Sequence, residues 1–449
     1  MSAQAASSPP PATLAPSLRT SRVGRGLLPD AGGLLFGIIS VAGAAIAGYE
    51  LVHGSERLAI AFSLIPLAAW LLTHPSIPLV LLGASIPAIV SISGSGEYSS
   101  SGYQVAASDL LLVMVSAGIL LEWAVARPVP IIQALRPIGR PVLQYGAVMV
   151  LLLTFHHGVH DLVKTGQRFE LFLLPLIVGA FAALTGWHIR VLKAYVLAST
   201  LLALVFPLDS FGMQHNPVGQ FIANAILLLI GVRSLRRFLP CLAILGPGLV
   251  LTGSRGSILA AGVGIVVIIA VQRSGSRPAL KRALPLVLLA LGVFALAPSA
   301  LQQRVTTLSA GTQTASQYAI YLRQQYSKDA HRIIDAHRWT GVGIGNYAAA
   351  DAAISTVPVE DPHEVILLQE AEGGYVLAGS FILLIVGVLF VLRRMRNVDV
   401  GPAAAGVLIA TVAHGLVDIY WVRGTPVLGW LVVGMACGGL ARLRETETA

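Results

Sequence analysis

Apolar residues in this chain gather into long runs divided by short polar stretches, a pattern unlike the alternation of a half-buried strand or the one-sided stripe of a soluble helix. The runs lie at 34–49, 58–72, 77–92, 110–126, 142–155, 171–187, 191–206, 221–232, 238–252, 258–271 and 284–297, then at 375–392, 403–419 and 427–440. Hydrocarbon offers backbone N–H and C=O groups no partner, so runs of this kind satisfy themselves as helices. The predicted fold class is all-α, a polytopic transmembrane helical bundle. Several of the fourteen runs are shorter than the ~20 residues of a perpendicular crossing, which gives about 12–14 spans. Pro66, Pro87, Pro175 and Pro247 inside runs predict kinks that neighbouring helices must accommodate.

One stretch breaks the pattern, the roughly seventy-five residues from Pro298 to Gly374. Loops of that length are usually functional or unstructured. Here Ala330, Ile333, Ile334 and His337 recur at helical spacing ahead of Gly341-Val342-Gly343-Ile344-Gly345-Asn346, which predicts an amphipathic helix closed by a glycine turn and a partly helical, folded loop. The predicted organisation is a disordered tail over 1–30, transmembrane helices over 31–297, the long loop over 298–374, further transmembrane helices over 375–441 and a short tail over 442–449. The first tail, rich in Ala, Ser and Pro, is read as cytoplasmic rather than as a leader, because Arg19, Arg22 and Arg25 sit far from the start.

Composition supports the membrane assignment: 55% of the 449 residues are hydrophobic and 11% charged, against about a quarter charged in soluble domains. The formal charge of +9 resolves into an orientation signal. With the N-terminus inside, 20 of the 30 Lys and Arg residues fall in inner segments, 5 in short outer ones (Arg57, Lys164, Arg168, Arg255 and Arg423) and 5 in the long loop. This places both termini in the cytoplasm and the long loop, His215 and Arg255 outside. No basic stripe with interleaved aromatics is present, so no nucleic-acid partner is predicted. Cys241 and Cys437 lie inside apolar runs and read as small buried side chains.

Three outer segments carry residues with chemical capability. The first is the tight hairpin Leu251-Thr252-Gly253-Ser254-Arg255-Gly256-Ser257, whose Arg255 is the only charge between Arg237 and Arg273. An arginine so placed pairs with an anion or snorkels to lipid headgroups. The second runs from Arg323 to Asn346; its glycines read as a phosphate cradle or a flexible turn, and no P-loop lysine follows. The third is Asp361-Pro362-His363-Glu364, with Leu367, Glu372 and Gly374 beyond. An imidazole there reads as a general base or as a structural loop histidine. A fourth segment, His156-His157-Gly158-Val159-His160-Asp161, has the residue types of a metal site or of a headgroup-level loop.

The order Ser254-Arg255-Gly256, Arg323, Gly341-Val342-Gly343-Ile344-Gly345-Asn346-Tyr347 and His363 with Leu367, Glu372 and Gly374 resembles the O-antigen ligase and polymerase superfamily of bacterial membrane proteins. The resemblance covers about Pro207 to Leu392. It includes His215-Asn216-Pro217-Val218-Gly219-Gln220, similar to the family's Asn-containing loop before a span. Two positions depart from the pattern. Glu364 stands where asparagine is usual, and Ser327 stands where an aromatic is common, with Tyr326 one place before it.

The resemblance implies a glycosyltransferase of the bacterial cytoplasmic (inner) membrane, active on its outer side. It would move a glycan from a polyprenyl diphosphate carrier to a lipid or glycan acceptor, with inversion and without metal or cofactor. Membrane lipids would surround it. Under that implication Arg255 and Arg323 clamp the departing diphosphate and His363 takes the acceptor proton. His215, Asn216, Arg338, Glu364 and Glu372 are secondary candidates, with Glu364 or Glu372 orienting His363 or capping the helix that follows.

Within this class, ligase and polymerase differ only in acceptor. A reading from another class, a secondary transporter or lipid flippase, would use Asp209, His414 and Asp418 near span ends as coupling groups. Transporters place ionisable residues at the midplane and repeat in two halves. These spans are nearly free of internal charge, with Glu122 the main exception, and the long loop has no counterpart in the first half.

Overall fold

A computed structural model describes residues 67–448 apart from 68–69, 73, 89–106, 126–128, 209–214, 273–314 and 419–424. The expectations for the first tail, for the runs at 34–49 and 284–297, for most of the run at 58–72 with Pro66, and for Asp209 lie outside these residues. The described elements are helical throughout, with no strand among them. In chain order the α-helices are α1 (Ser76–Ser85), α2 (Ala107–Val125), α3 (Ile131–Leu135), α4 (Gly139–Leu152), α5 (Val159–Leu184), α6 (His188–Val205), α7 (His215–Gly231), α8 (Leu242–Leu251), α9 (Arg255–Gln272), α10 (Ala315–Ala336), α11 (Tyr347–Ala352), α12 (Val365–Arg394), α13 (Gly401–Gly415) and α14 (Val427–Thr448).

Seven of these segments are long and apolar enough to cross a bilayer: α2, α5, α6, residues Arg233–Leu251 ending in α8, α9, α12 and α14. Two shorter apolar helices, α1 and α13, accompany them. The large side chains left exposed face outward at helical spacing, as Ile382, Leu383, Val386 and Phe390 do on α12. This is what a lipid-facing stripe requires.

Several boundaries differ from those read off the apolar runs. α5 begins twelve residues before the run at 171–187, so Lys164 and Arg168 are helical and not in a short loop. His215 to Gln220 form the opening turns of α7 rather than a loop before it. Pro87 follows the end of α1 instead of kinking it, while Pro175 and Pro247 remain inside α5 and α8. α14 continues to Thr448, through the stretch expected to be a short tail.

The closest packing is between α5 and α14. A Cβ on Gly179 would overlap the Leu431 carbonyl, one on Gly434 the Leu176 carbonyl, and one on Gly438 would meet the Ala180 carbonyl and the Ala183 methyl. Lipid supplies no hydrophobic drive for helix association, so backbones held this close by small residues supply the dispersion contacts that hold the pair. Gly434→Val is expected to destabilise the bundle by about 1–3 kcal/mol, the usual cost of overpacking. Thermal unfolding of the detergent-purified chain checks this; an unchanged midpoint would contradict it.

Contacts between elements sort the bundle into two ends. At one, Arg233 and Ser234 donate backbone N–H groups to Asp399 (2.8 and 3.2 Å) and Arg442 donates to the Ala183 carbonyl at the C-terminus of α5 (3.1 Å). Arg190 stacks over Trp187, and Arg394 over Phe390. The opposite ends of α5, α7, α9 and α12 carry the long loop and the residues described next.

Candidate functional site

The loop has a core of its own. Ala330, Ile333 and Ile334 on one face of α10 bury against Tyr347 of α11 and Leu368 and Ala371 of α12, while His337, the fourth residue of the periodic set, is exposed. α12 is two helices joined at a break, with Gly373 at φ −135° and Gly374 at φ +65°. Val365 to Glu372 therefore belong to the loop, and Tyr375 starts the span.

The glycine turn locks onto that break. Val342 and Gly343 donate N–H groups to the Ala371 and Glu372 carbonyls (both 2.9 Å), Gly345 N–H donates to Glu372 Oε1 (2.9 Å), and Tyr375 N–H donates to the Arg338 carbonyl (2.8 Å). Gly341 approaches so closely that a Cβ would sit on the Glu372 backbone. Its φ of +64° also favours glycine. With these N–H groups committed internally, the turn is a docking device and holds no phosphate cradle.

The His156–Asp161 segment docks the same turn from the other side. His156 Nε2 lies 3.2 Å from the Thr340 carbonyl, His160 Nε2 lies 3.3 Å from the Gly345 carbonyl, and Asp161 accepts from Asn346 Nδ2 at 2.6 Å. His156, His160 and Asp161 thus fasten the loop to the start of α5. Among the described residues no group of three or more His, Cys, Asp or Glu side chains is arranged to hold a metal. Glu372, buried, pairs with Arg168 of α5, whose guanidinium also donates to Gln369 Oε1 (3.1 Å).

The other named residues assemble around Asp418, just past the end of α13. Its carboxylate receives Asn216 Nδ2, lies 3.2 Å from His363 Nδ1 and is 3.4 Å from an Arg323 Nη. Asp418 is buried, whereas the His363 and Arg323 side chains are 23% and 45% exposed, so the cluster has a sealed floor and an accessible rim. Tyr326 stacks on the His363 ring with centroids 5.3 Å apart and 15° between planes. Among the described residues no hydrogen bond reaches His363 Nε2, the nitrogen turned from Asp418.

His363 is the only non-glycine described residue with positive φ, at +58°. Left-handed backbone at a bulky residue costs roughly 1 kcal/mol or more. Two neighbours hold it: Asp361 Oδ1 accepts the His363 N–H (2.9 Å), and Glu364 accepts the N–H groups of Ile366 and Leu367 (2.9 Å each) as the N-cap of α12. Burial lifts the Glu364 carboxyl above its usual range, and the two N–H groups oppose that rise. Glu364→Ala is expected to cost about 1 kcal/mol, and Glu364→Asn, which retains a capping oxygen, less. Thermal unfolding of the two variants checks this, and equal losses would remove the capping role.

The Arg255 hairpin borders the cluster. Arg255 opens α9; Ser254 and Ser257 share a hydrogen bond (2.7 Å), Ser257 donates to the Asn216 carbonyl (3.2 Å), and His215 Nδ1 lies 2.9 Å from the Thr252 carbonyl. A Cβ on Gly256 would run into the ring of His414, one turn before Asp418. Arg338, in contrast, pairs with Asp335 on the exposed face of the loop, and Glu372 stands with Arg168; neither touches His363.

Sequence reasoning gave Asp418 and His414 to the transport alternative, and the fold puts both beside the Arg255 hairpin and His363. Nothing local to Asp418 signals this, since 55 residues separate it from His363. The Tyr326 displacement was legible, and the stack shows which aromatic faces the histidine.

Residues 240–382 match the family model described as O-antigen ligase. That stretch contains Arg255, Arg323, His363 and Glu372, with Asn216 before it and Asp418 after it. A comparison with curated proteins finds no match. The chain is therefore a multi-pass membrane protein whose residues 240–382 are similar to the O-antigen ligase family.

Proposed function

We propose that the protein transfers a glycan from a polyprenyl diphosphate carrier to an acceptor hydroxyl, at the outer face of a bacterial cytoplasmic membrane. The observation that carries this reading is the convergence of Asn216, Arg323 and His363 on one buried carboxylate, Asp418, beside the Arg255 hairpin. Asp418 holds the proton on His363 Nδ1, which leaves Nε2 as the acceptor for the proton of the attacking hydroxyl. As that oxygen bonds to the anomeric carbon, the carbon–oxygen bond to the diphosphate breaks with its electron pair going to phosphate. The guanidiniums of Arg323 and Arg255 meet the charge that develops there. Attack opposite the leaving group inverts the anomeric centre.

The stacked Tyr326 and the left-handed backbone fix the ring before substrate arrives, which removes ordering cost from the reaction. Asn216 and His215 act as positioning residues for Asp418 and the hairpin. Polymerisation of carrier-linked repeat units is the same chemistry with a different acceptor. The test is the ladder of lipid-linked and surface polysaccharide in strains carrying His363→Ala, Arg255→Ala or Arg323→Ala, with the amount of membrane protein measured alongside. Unchanged surface polymer in all three would sink the reading and revive transport.

A further inference from the structure

Beside the cluster α10 bears an open depression of about 380 Å³, lined by Arg323, Gln324, Ser327 and Lys328. These are two pairs at i, i+4, Arg323 with Ser327 and Gln324 with Lys328, so two adjacent ridges of one helix form the wall. The depression begins at Arg323, which reaches Asp418 and through it His363.

Among the described residues the lining is two cations, an amide and a hydroxyl, with no carboxylate and no aromatic face. The neighbouring acids are committed elsewhere. Asp329 is buried and pairs with Arg332, Asp335 pairs with Arg338, and Glu364 caps α12. Tyr326, the aromatic in this turn, is stacked under His363. Lys328 is exposed, and no ion pair to it is present among the described residues. A neutral sugar is held chiefly by an apolar ring face and by hydrogen bonds. With Arg323 paired to Asp418, this surface offers hydrogen bonds and the exposed Lys328 charge instead.

We propose that the Arg323–Lys328 depression is a glycan subsite selective for an anionic sugar, one bearing a carboxylate or phosphate, with Lys328 as the specificity-determining cation. The proposal rests on the transfer reading above and names the substrate class of that site. Gln324 and Ser327 supply hydrogen bonds to hydroxyls, and the Lys328 ammonium supplies the charge contact. The same cation would also attract a diphosphate, so the two sources of negative charge must be separated.

The experiment uses the full chain purified in detergent and three probes: an oligogalacturonate, a maltooligosaccharide of equal length and inorganic pyrophosphate. The parent is expected to bind the oligogalacturonate more tightly than the neutral oligosaccharide, with an advantage that shrinks as salt is raised. Lys328→Ala should weaken oligogalacturonate binding about fivefold, the scale of one exposed charge contact, and Lys328→Glu should abolish the preference. Lys328→Ala should leave pyrophosphate binding within about twofold, because Arg323 and Arg255 remain to hold it. An oligogalacturonate affinity unchanged in Lys328→Ala, or a parallel loss for pyrophosphate, would overturn the subsite. His363→Ala, scored for surface polymer in cells, checks the transfer reading separately. Failure of the transfer reading would show as unchanged surface polymer in that variant, an outcome separate from anything Lys328 does to binding.

Discussion

Cells whose only copy carries His363→Ala or Asp418→Asn are expected to accumulate carrier-linked glycan and to lose surface polymer, with normal amounts of the protein in the membrane. For His363→Ala the loss removes a positioned general base, worth about 10²–10⁴ in rate. Asp418→Asn keeps the shape of the side chain and its contact to Asn216, but an amide cannot balance Arg323 or hold the imidazole in one tautomer. The two lesions therefore act through one unit. The double variant should be scarcely worse than the worse single variant, because residues that work together are not additive. A multiplicative double effect, or a full ladder in Asp418→Asn, would separate Asp418 from the chemistry. Long carrier-linked chains accumulating in the variants would indicate a ligase, and single repeats a polymerase.

Arg168→Ala is expected to destabilise the docked loop by about 3–5 kcal/mol, the cost of stripping the partner from a buried charge. Glu372 is 4% exposed, bonds Gly345 and sits at the break in α12, so an uncompensated carboxylate there would pry out the glycine turn. Gln369 would lose one of its two donors, the other being the Tyr145 hydroxyl at 3.1 Å. Limited proteolysis should cut the Arg168→Ala chain between residues 337 and 347 at protease levels that spare the parent. Replacing both partners together, Arg168→Met with Glu372→Leu, should restore much of the resistance, since two apolar groups leave no orphaned charge. Equal cutting in the single and double variants would mean that the pair does not hold the loop.

How much of this was legible in the chain depends on the range over which each property is set. Helical class and the amphipathic helix of the loop with its closing glycine turn follow from local pattern. Hydrocarbon dictates helices wherever apolar runs are long, and glycine marks positions that need positive φ, as at Gly374. Arg255 could be singled out because a charge beside apolar runs is costly and hence conspicuous, whereas the roles of Arg323 and His363 followed from the resemblance to the O-antigen ligase superfamily.

Their arrangement was not local. The partner of His363 is a carboxylate in another helix segment, and Glu364, its chain neighbour, turned out to cap a helix. The histidine cluster at 156–161 has the composition of a metal site, yet its contacts fasten a glycine turn nearly two hundred residues away. Hydropathy and backbone geometry act within a few residues, so a membrane-embedded helical protein and its unusual polar residues are written locally in the chain. That Asp418 gathers them, that Glu372 locks the loop and that Lys328 stands exposed beside Arg323 are properties of the folded arrangement. Side-chain partners are chosen when helices distant in sequence close against one another, and no run of neighbouring residues encodes that choice.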